Sequence, residues 1–221
     1  MCVHYEPATY DDLRTLQARL DESSPSWPAD TWQDYAAPII VPQQGGGRRA
    51  LVASYGMVPK RKIPPGVKKF TTMNARSETV GSLRSYSKAW KAGQLCLVPM
   101  RRFFEPNWET GVHIPYSIGM ADDTPFAVAG LWRSWEDEGG VLSHSFTQLT
   151  VNADEHPVMK HFHKLDDEKR SLVIVAPADY DAWLACADPE QARSFMTLYP
   201  AHLLKAVPAP KKPKATPDLL A

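Results

Sequence analysis

The second residue of the chain could do chemistry that an interior residue cannot. The sequence begins Met1-Cys2-Val3, so removal of Met1 would leave Cys2 with an α-amine and a thiol on adjacent carbons. The pKa of an α-amine is about 7.7–8.0, against about 10.4 for lysine, so roughly a third of it is the neutral nucleophile near neutral pH. Such an amine can attack an aldehyde, and the thiol can then close a five-membered thiazolidine ring. The alternative is a cysteine at a frayed terminus.

A carboxylate among aromatic residues is the second candidate. Glu105 lies in the sequence LVPMRRFFEPNWE, between Phe104 and Pro106 at the end of a predicted strand. Desolvation by such neighbours raises the pKa of a carboxyl group, which could then donate a proton near neutral pH and take it back later. The alternative is a solvent-facing glutamate paired with Arg101 or Arg102, whose charge would lower the pKa instead.

Three histidines lie close together in the segment TVNADEHPVMKHFHKLDDEKR, namely His156, His161 and His163. H-x-H spacing without a carboxylate or thiol at helical spacing is weak evidence for a metal site, so we expect no metal and no other cofactor. A histidine that transfers a proton or orients a phosphate fits the segment better. A solvated loop without a chemical role is the alternative.

A polar motif and a basic loop could bind nucleic acid. In the motif MNARSET, Asn74 can donate and accept hydrogen bonds in one plane, and Arg76 can fork onto a phosphate. The motif follows the basic loop PKRKIPPGVKKF, and basic loops with aromatic residues nearby are typical of surfaces for single-stranded nucleic acid. A merely solvated loop is the alternative. The candidate DNA-binding residues are Tyr55, Lys60, Arg61, Lys68, Lys69, Arg76 and Arg84.

The composition limits the class of protein. The 221 residues include 25 basic and 25 acidic side chains, so any affinity for nucleic acid has to come from local clusters. Three cysteines without C-x-x-C spacing argue for a reducing compartment and against structural zinc. The sequence has no signal-peptide pattern and no stretch of membrane-spanning length. We therefore expect a cytoplasmic, nucleoid-associated monomer without a membrane partner.

Short strands are the main elements that would position these residues. The segments QLCLVP, IPYSIGM, PFAVAGLW, SFTQLTV and SLVIVA, separated by turn-rich spacers, predict an α+β fold with a curved, mostly antiparallel sheet or barrel-like core. Peripheral helices are predicted at 9–20, with Thr9 and Asp12 as a capping box, and at 77–93, 178–187 and 188–196. The stretches SSPSWPAD and APIIVPQQGGGRR, broken by prolines and glycines, predict a wrapping loop.

These elements predict one catalytic domain over residues 1–204. The remaining stretch, 205–221, is rich in Pro and Lys and poor in aromatic residues. Such a composition cannot bury enough apolar surface to offset the entropy of ordering the chain. We therefore expect a disordered tail.

In their order and spacing, these pieces resemble the SOS response-associated peptidase (SRAP) family, whose members shield abasic sites in DNA. The resemblance covers residues 1–185, and the family's common start M-C-G-R is M-C-V-H here. The motifs that carry it are Met1-Cys2, Tyr55-Gly56-Met57-Val58-Pro59, Asn74-Ala75-Arg76-Ser77-Glu78-Thr79, Cys96-Leu97-Val98-Pro99 running to Phe104-Glu105, Ala129-Gly130-Leu131-Trp132, and a late histidine before a β-strand.

The resemblance implies the family's curved β fold and its chemistry. A processed N-terminal Cys2 would condense with the ring-opened aldehyde of an abasic site in single-stranded DNA and form a thiazolidine crosslink, as part of the DNA damage response. Asn74 would position the α-amine and the sugar, and Glu105 would shuttle protons. Arg76 would grip the backbone beside the lesion. His163 would be the active-site histidine, with His161 as the second choice.

Two other functions use the same residues. An N-terminal-nucleophile cysteine peptidase would use Cys2 to attack a carbonyl carbon, with its own Met1 as one substrate, but it requires donors for an oxyanion that the sequence does not reveal beyond Asn74. A lyase-like activity on the abasic site is implied by the same resemblance. A non-covalent single-strand binding module would use the basic surface and leave Cys2 idle.

Overall fold

The computed structural model describes residues 2–209, and within them twelve strands form one sheet. Four short helices accompany the strands, α1 (Tyr10–Thr15), α2 (Ser87–Lys91), α3 (Tyr180–Ala185) and α4 (Pro189–Arg193). In chain order the strands are β1 (Tyr5–Pro7), β2 (Ala18–Leu20), β3 (Ala36–Pro42), β4 (Arg48–Tyr55), β5 (Asn74–Arg76), β6 (Leu95–Asn107), β7 (Ile114–Met120), β8 (Phe126–Glu136), β9 (Leu142–Asn152), β10 (Arg170–Leu172), β11 (Ile174–Val175) and β12 (Leu204–Pro208).

Five of the strands close on themselves. Strand β3 pairs with β4 and β6, β8 pairs with β6 and β9, and β9 pairs with β4. Every pairing in this ring is antiparallel except that of β4 with β9, which is parallel. The prediction of a curved, mostly antiparallel, barrel-like core with peripheral helices is therefore confirmed.

Two hydrophobic clusters lie on opposite faces of the barrel strands. Because side chains alternate along a strand, Leu97 on β6 belongs to one cluster and Val98 to the other. The first cluster includes Trp90 of α2 and Trp183 of α3, so helices cover that face. The second cluster includes Cys2.

Close packing at one position of the barrel requires glycine. A Cβ atom added to Gly130 on β8 would lie 2.7 Å from the carbonyl oxygen of Thr147 and 2.9 Å from Sγ of Cys96. Neither distance is compatible with a real carbon atom. The glycine of the Ala129-Gly130-Leu131-Trp132 motif thus allows β6, β8 and β9 to approach one another.

The prediction of a wrapping loop over APIIVPQQ is wrong, because Ala36–Pro42 is the barrel strand β3. Its apolar residues Ile39, Ile40 and Val41 are buried. The prolines are tolerated because β3 pairs along its whole length with β4 only, and its register with β6 is limited to Ile40 opposite Leu97.

The first helix begins where the sequence predicts and ends earlier, and the second begins later than predicted. The capping box is confirmed, since the Thr9 hydroxyl accepts from the amide of Asp12 and the Asp12 carboxylate accepts from the amide of Thr9. The helix ends at Thr15 because Gln17 adopts a left-handed φ of 55°, and the chain continues as β2. Of the predicted helix 77–93, only Ser87–Lys91 is helical, and a series of turns precedes it.

The third and fourth helices are close to the predictions. Helix α3 starts at Tyr180, and the side chain of Asp188 caps α4 by accepting from the amide of Glu190 at 2.9 Å. Pro189 is the first helical residue, as predicted.

The predicted boundary at 204 is also wrong, because the chain continues as strand β12 to Pro208. The free edge of β7 supplies the reason, since its backbone groups pair with Leu204–Pro208 in antiparallel register. Leu204 is buried against the second cluster. The rest of the predicted tail, from 210 to 221, lies outside the described residues. In the described part of the chain, no helix has the length and apolar character needed to cross a membrane.

Candidate active site

The first described residues, from Cys2 onward, are held by the sheet and are not frayed. Strand β1 pairs antiparallel with β6, and the carbonyl of His4 accepts a hydrogen bond from the amide of Phe104 at 3.0 Å. This pairing carries Cys2 into the second hydrophobic cluster, where only 1% of its surface is exposed. The interpretation of Cys2 as a residue at a loose terminus therefore does not describe the folded chain.

Two side chains hold the carbonyl group of Cys2. The side-chain amide of Asn74, on β5, donates to the Cys2 oxygen at 2.6 Å, and the hydroxyl of Tyr55, at the end of β4, lies 2.9 Å from it. Strand β5 is placed by its parallel pairing with β9, where Asn74 lies opposite Gln148. Strands β4 and β5 both pair with β9, so the two contacts hold Cys2 beside these three strands.

Gln148 completes this arrangement. Its Oε1 lies 2.9 Å from the Tyr55 hydroxyl, which has a single proton and can donate to only one of its two oxygen neighbours. The Nε2 of Gln148 is buried and has no hydrogen-bond partner among the described residues. Turning the amide over would let Nε2 donate to the Tyr55 hydroxyl, which could then donate its single proton to Cys2.

Glu105 and His163 form a buried pair beside Cys2. Oε2 of Glu105 lies 3.3 Å from Nδ1 of His163, and 3% of the carboxylate side chain is exposed. Burial raises the pKa of Glu105 to about 7. Burial likewise lowers the pKa of His163 to about 4. The sequence left two alternatives for Glu105, a desolvated carboxyl group and a solvent-facing ion pair. The structure shows the desolvated carboxyl group.

The hydrogen bonds of His163 indicate where the proton lies. Its Nε2 is 3.2 Å from the carbonyl oxygen of Arg170, which can only accept, so Nε2 carries a proton. A neutral imidazole of this tautomer has an acceptor at Nδ1, facing Glu105. Near pH 7 the pair therefore holds one titrating proton, located on the carboxyl group.

The thiol of Cys2 is protonated in this environment. Burial, and secondly the negative charge of Glu105, raise the pKa of Cys2 far above its ordinary value. Its Sγ donates to the carbonyl oxygen of His4 at 3.3 Å. A free thiolate is therefore disfavoured, and the thiol needs a base before it can act as a nucleophile.

Backbone strain and an ion-pair network position His163. The residue has a left-handed φ of 68°, and its amide donates to the carbonyl of Pro106 at 2.9 Å, next to Glu105. Arg170, whose carbonyl accepts from His163, is buried and donates to Glu78 at 2.9 Å and to Glu168 at 2.6 Å. The motif Asn74–Thr79 thus supports the histidine through Glu78 as well as holding Cys2 through Asn74.

His161 lies elsewhere. Its ring hydrogen-bonds to the exposed carboxylate of Glu109, and its side chain is 42% exposed. Of the two histidines proposed from the sequence, only His163 adjoins Glu105. Cys2, Asn74, Glu105 and His163, distant in sequence, therefore meet in one place.

Tyr55 is a correction to the predicted DNA-binding residues. It is 0% exposed, its ring stacks on Phe146 with centroids 5.2 Å apart, and its hydroxyl faces Cys2. A base cannot stack on a ring that is enclosed in the core. The residue positions Cys2 instead.

The predicted basic residues fall into two groups. Lys60 pairs with Asp34 at 3.3 Å, Arg61 with Asp137 at 2.9 Å, and Arg76 with Glu168 at 2.7 Å, so each would have to exchange a carboxylate for a phosphate. The others are exposed and form no ion pair within the described residues; these are Lys68, Lys69 and Arg84.

Two residues of the site are absent from the sequence-based set. Gln148 lies within an apolar strand pattern and Arg170 at the start of another, and nothing in their local sequence distinguishes them from structural residues. The described part of the chain contains no group of three or more His, Cys, Asp or Glu side chains placed to hold a metal ion.

Comparison with known proteins identifies the family of the chain. The sequence profile of the SOS response associated peptidase (SRAP) family matches residues 1–213. The chain belongs to this family. The SRAP resemblance predicted from Met1-Cys2 and the Asn74–Thr79 motif is thus confirmed.

Two relatives of the chain carry abasic-site-processing names. The chain is 28% identical over 151 residues to "Abasic site processing protein YobE" of Bacillus subtilis (strain 168), a match that covers 65% of each chain. It is 24% identical over 169 residues to "Abasic site processing protein HMCES" of Gallus gallus, which covers 67% of this chain and 48% of that one. The matched region thus spans less than two thirds of these relatives' length.

Solved structures share the SRAP chain's fold. A crystal structure of a Bordetella bronchiseptica protein superimposes with a TM-score of 0.83 and 33% identity, covering 94% of this chain and 99% of that one. A Bacteroides thetaiotaomicron protein gives a TM-score of 0.70 at 19% identity, covering 94% and 91%.

Proposed function

We propose that this protein shields abasic sites in single-stranded DNA by forming a covalent bond through Cys2 after Met1 has been removed. Membership of the SRAP family and the abasic-site-processing names of its relatives support the substrate. The observation that carries the chemistry is the meeting of Cys2 with the Glu105–His163 pair, while Asn74 holds the Cys2 carbonyl at 2.6 Å.

The reaction begins with opening of the sugar. Glu105, whose pKa of about 7 leaves it partly protonated, donates a proton to the ring oxygen, and its carboxylate takes up the proton that the anomeric hydroxyl loses, so the aldehyde forms with Glu105 again protonated. The α-amine of Cys2 then adds to the aldehyde carbon, and one of its protons passes to the former aldehyde oxygen to give a hydroxyl. Protonation of the resulting hydroxyl by Glu105 releases water and leaves an iminium ion.

The thiol completes the ring. Glu105, now a carboxylate, takes the proton of the Cys2 thiol, and Sγ bonds to the iminium carbon to give a thiazolidine with a secondary amine. One water is released overall and Glu105 recovers its proton. This order suits a thiol whose pKa is raised, because the base that it needs is generated by the preceding step.

The neutral His163 has a supporting role in this scheme. With Nε2 fixed on the Arg170 carbonyl, its Nδ1 faces Glu105 and stabilises the protonated carboxyl by accepting its hydrogen bond. Arg76 and the exposed cations Lys68, Lys69 and Arg84 would hold the DNA backbone. We infer a monomer acting on chromosomal DNA in the cytoplasm.

A cysteine peptidase is less well supported. Peptide hydrolysis requires a thiolate as the first nucleophile, and burial disfavours that form of Cys2. The donors around Cys2 are directed at its own carbonyl oxygen.

A denaturing gel tests the proposal. Met1-free protein and an excess of single-stranded oligonucleotide with one abasic site should give a heat-stable shifted band. Cys2→Ala should give no heat-stable band. Cys2→Ala and Cys2→Ser both keep the α-amine once Met1 is removed, so each should give a band only after borohydride reduction, because the imine cannot close to a thiazolidine. A heat-stable band with Cys2→Ala as strong as with the parent would refute the proposal.

A further inference from the structure

A second polar cavity lies on the helix-covered face of the barrel, across the sheet from Cys2. Its volume is about 150 Å³, and no acidic residue is among those that line it. The polar lining residues are Ser85, Lys88, Gln94, Arg133 and Ser134. The hydroxyl of Ser134 is already hydrogen-bonded to His144, so two cations, the Ser85 hydroxyl and an amide remain as donors around a small volume, and these are the groups that a phosphate requires.

Arg133 is the central residue of this cavity. It is half-buried on β8, yet within residues 2–209 it forms no ion pair and no side-chain hydrogen bond. Its guanidinium lies 3.8 Å from the ring centroid of Trp135. Stacking of this kind fixes the plane of the group and leaves its N–H edge free to fork onto a phosphate. The partial burial without a counter-ion also lowers the pKa of Arg133.

The neighbouring basic residues differ from Arg133 in this respect. Arg61 and Lys62 both pair with Asp137, and Lys60 pairs with Asp34. Their charges are therefore compensated within the protein. Lys88, on α2, is exposed at the cavity and has no ion pair in the described part of the chain.

The cavity lies close to the candidate active site along the sheet. Gly130 pairs with Gln148, which pairs in turn with Asn74, so Asn74 is two strands away from β8. Arg133 is three residues further along β8, or about 10 Å at about 3.3 Å per residue. Tyr86, next to Ser85, donates to the carbonyl oxygen of Asn74 at 3.1 Å.

We propose that Arg133 and Lys88 bind one backbone phosphate of the DNA strand, a few nucleotides from the nucleotide that reacts with Cys2. The inference rests on the proposed function for its ligand. It assigns the phosphate contact to two cations that have no acidic partner within the described residues. These cations lie on the face of the sheet opposite Cys2, so the DNA strand has to pass over the end of the barrel.

Salt dependence of binding tests this contact without using the Cys2 chemistry. The affinity of undamaged single-stranded DNA is measured by fluorescence anisotropy over a range of salt concentrations. Each phosphate contact to a single strand contributes about 0.7 to the slope of log affinity against log salt. We expect Arg133→Gln and Lys88→Gln each to lower the slope by about 0.7, and Arg133→Lys to restore most of it.

Controls separate the possible results. Arg14→Gln, a charge removal at an 82% exposed side chain on α1, should leave the slope unchanged. If Arg133→Gln does not fold, Lys88→Gln decides alone, because Lys88 is exposed. An unchanged slope in the folded variants overturns the proposal. So does binding of inorganic phosphate that depends on Arg133 while the slope for DNA stays the same.

The two proposals fail separately. If the slopes are unchanged but the parent still forms a heat-stable adduct with abasic DNA, only the phosphate contact is wrong. If the parent forms no adduct, the proposed function is wrong, whatever the slopes are.

Discussion

Nδ1 of His163 lies 3.3 Å from Oε2 of Glu105, and both side chains are buried. Burial disfavours the charged form of each, so the pKa of the acid rises and that of the base falls. Near neutral pH a large fraction of the protein consequently holds the pair in its neutral form, with Glu105 protonated and ready to donate. In an ion pair of the same two residues the proton would lie on His163, and Glu105 itself would have none to give to a leaving hydroxyl.

The rate of adduct formation should depend on pH as a bell-shaped curve. The rate rises as the α-amine loses its proton, with a pKa of about 7.7–8.0, and falls as Glu105 loses its proton above about 7, which places the maximum between about 7 and 8. Single-turnover rates of Met1-free protein between pH 5.5 and 9 measure the curve. A parent rate that keeps rising to pH 9 would contradict the assignment of Glu105 as the acid.

Glu105→Gln should lose the falling limb of this curve. The amide cannot act as a general acid at any of these pH values, so the rate should fall by at least about 100-fold. It should level off above the pKa of the amine. Glu109→Gln is the matched control at an exposed carboxylate and should keep the bell shape.

The stability of the fold should also report on Glu105. Its folded-state pKa is raised above the unfolded value, so the protonated form favours folding, and that stabilisation is complete below about pH 4.5 and lost as the pH rises through about 7. A rise from 4.5 to about 7 corresponds to about 3 kcal/mol. From pH 4.5 to pH 8, the free energy of unfolding of Glu105→Gln should therefore gain about that much relative to the parent.

Urea unfolding at several pH values measures this difference. Glu22→Gln, at an exposed position, should follow the parent at every pH. Parallel curves for Glu105→Gln and the parent would show that the carboxyl group is not desolvated.

Tyr55→Phe should separate positioning of Cys2 from binding of DNA. The variant keeps the buried ring and loses the hydroxyl that contacts Cys2 and Gln148, which costs about 1–2 kcal/mol of stability and slows adduct formation. Affinity for undamaged single-stranded DNA should not change. If Tyr55→Phe weakens DNA binding as much as Lys68→Gln does, Tyr55 contacts DNA and its assignment as a positioning residue is wrong.

Gly130→Ala should destabilise the barrel. Its Cβ would lie 2.7 Å from a backbone oxygen, which cannot move without disturbing the pairing of β8 with β9. Overpacking of this kind costs about 1–3 kcal/mol or more. A thermal unfolding midpoint equal to that of the parent would be inconsistent with so close an approach of the strands.

The sequence was sufficient for features that are local or depend on residue order. The capping box of Thr9 and Asp12 and the cap at Asp188 follow from short-range spacing. The motif order predicted that Asn74, Glu105 and His163 belong together. Strand β3 was missed because prolines suggest a loop, and only the pairing partners show that its second edge needs few hydrogen bonds.

The remaining features depend on contacts between residues far apart in the chain. Arg61 and Asp137 are 76 residues apart, and Arg76 and Glu168 are 92 apart, so their sequences give no sign that these cations are already paired. For Tyr55, the sequence shows an aromatic residue beside a basic loop. This pattern does not distinguish a ring buried in the core from a ring exposed on the surface.

The intact mass of the adduct tests the central claim most directly. Protein incubated with abasic single-stranded DNA should give a species whose mass equals that of the chain without Met1 plus the oligonucleotide, less one water. Digestion should place the added mass on the peptide that begins with Cys2. An adduct on any other residue, or one that forms while Met1 is still attached, would contradict the account.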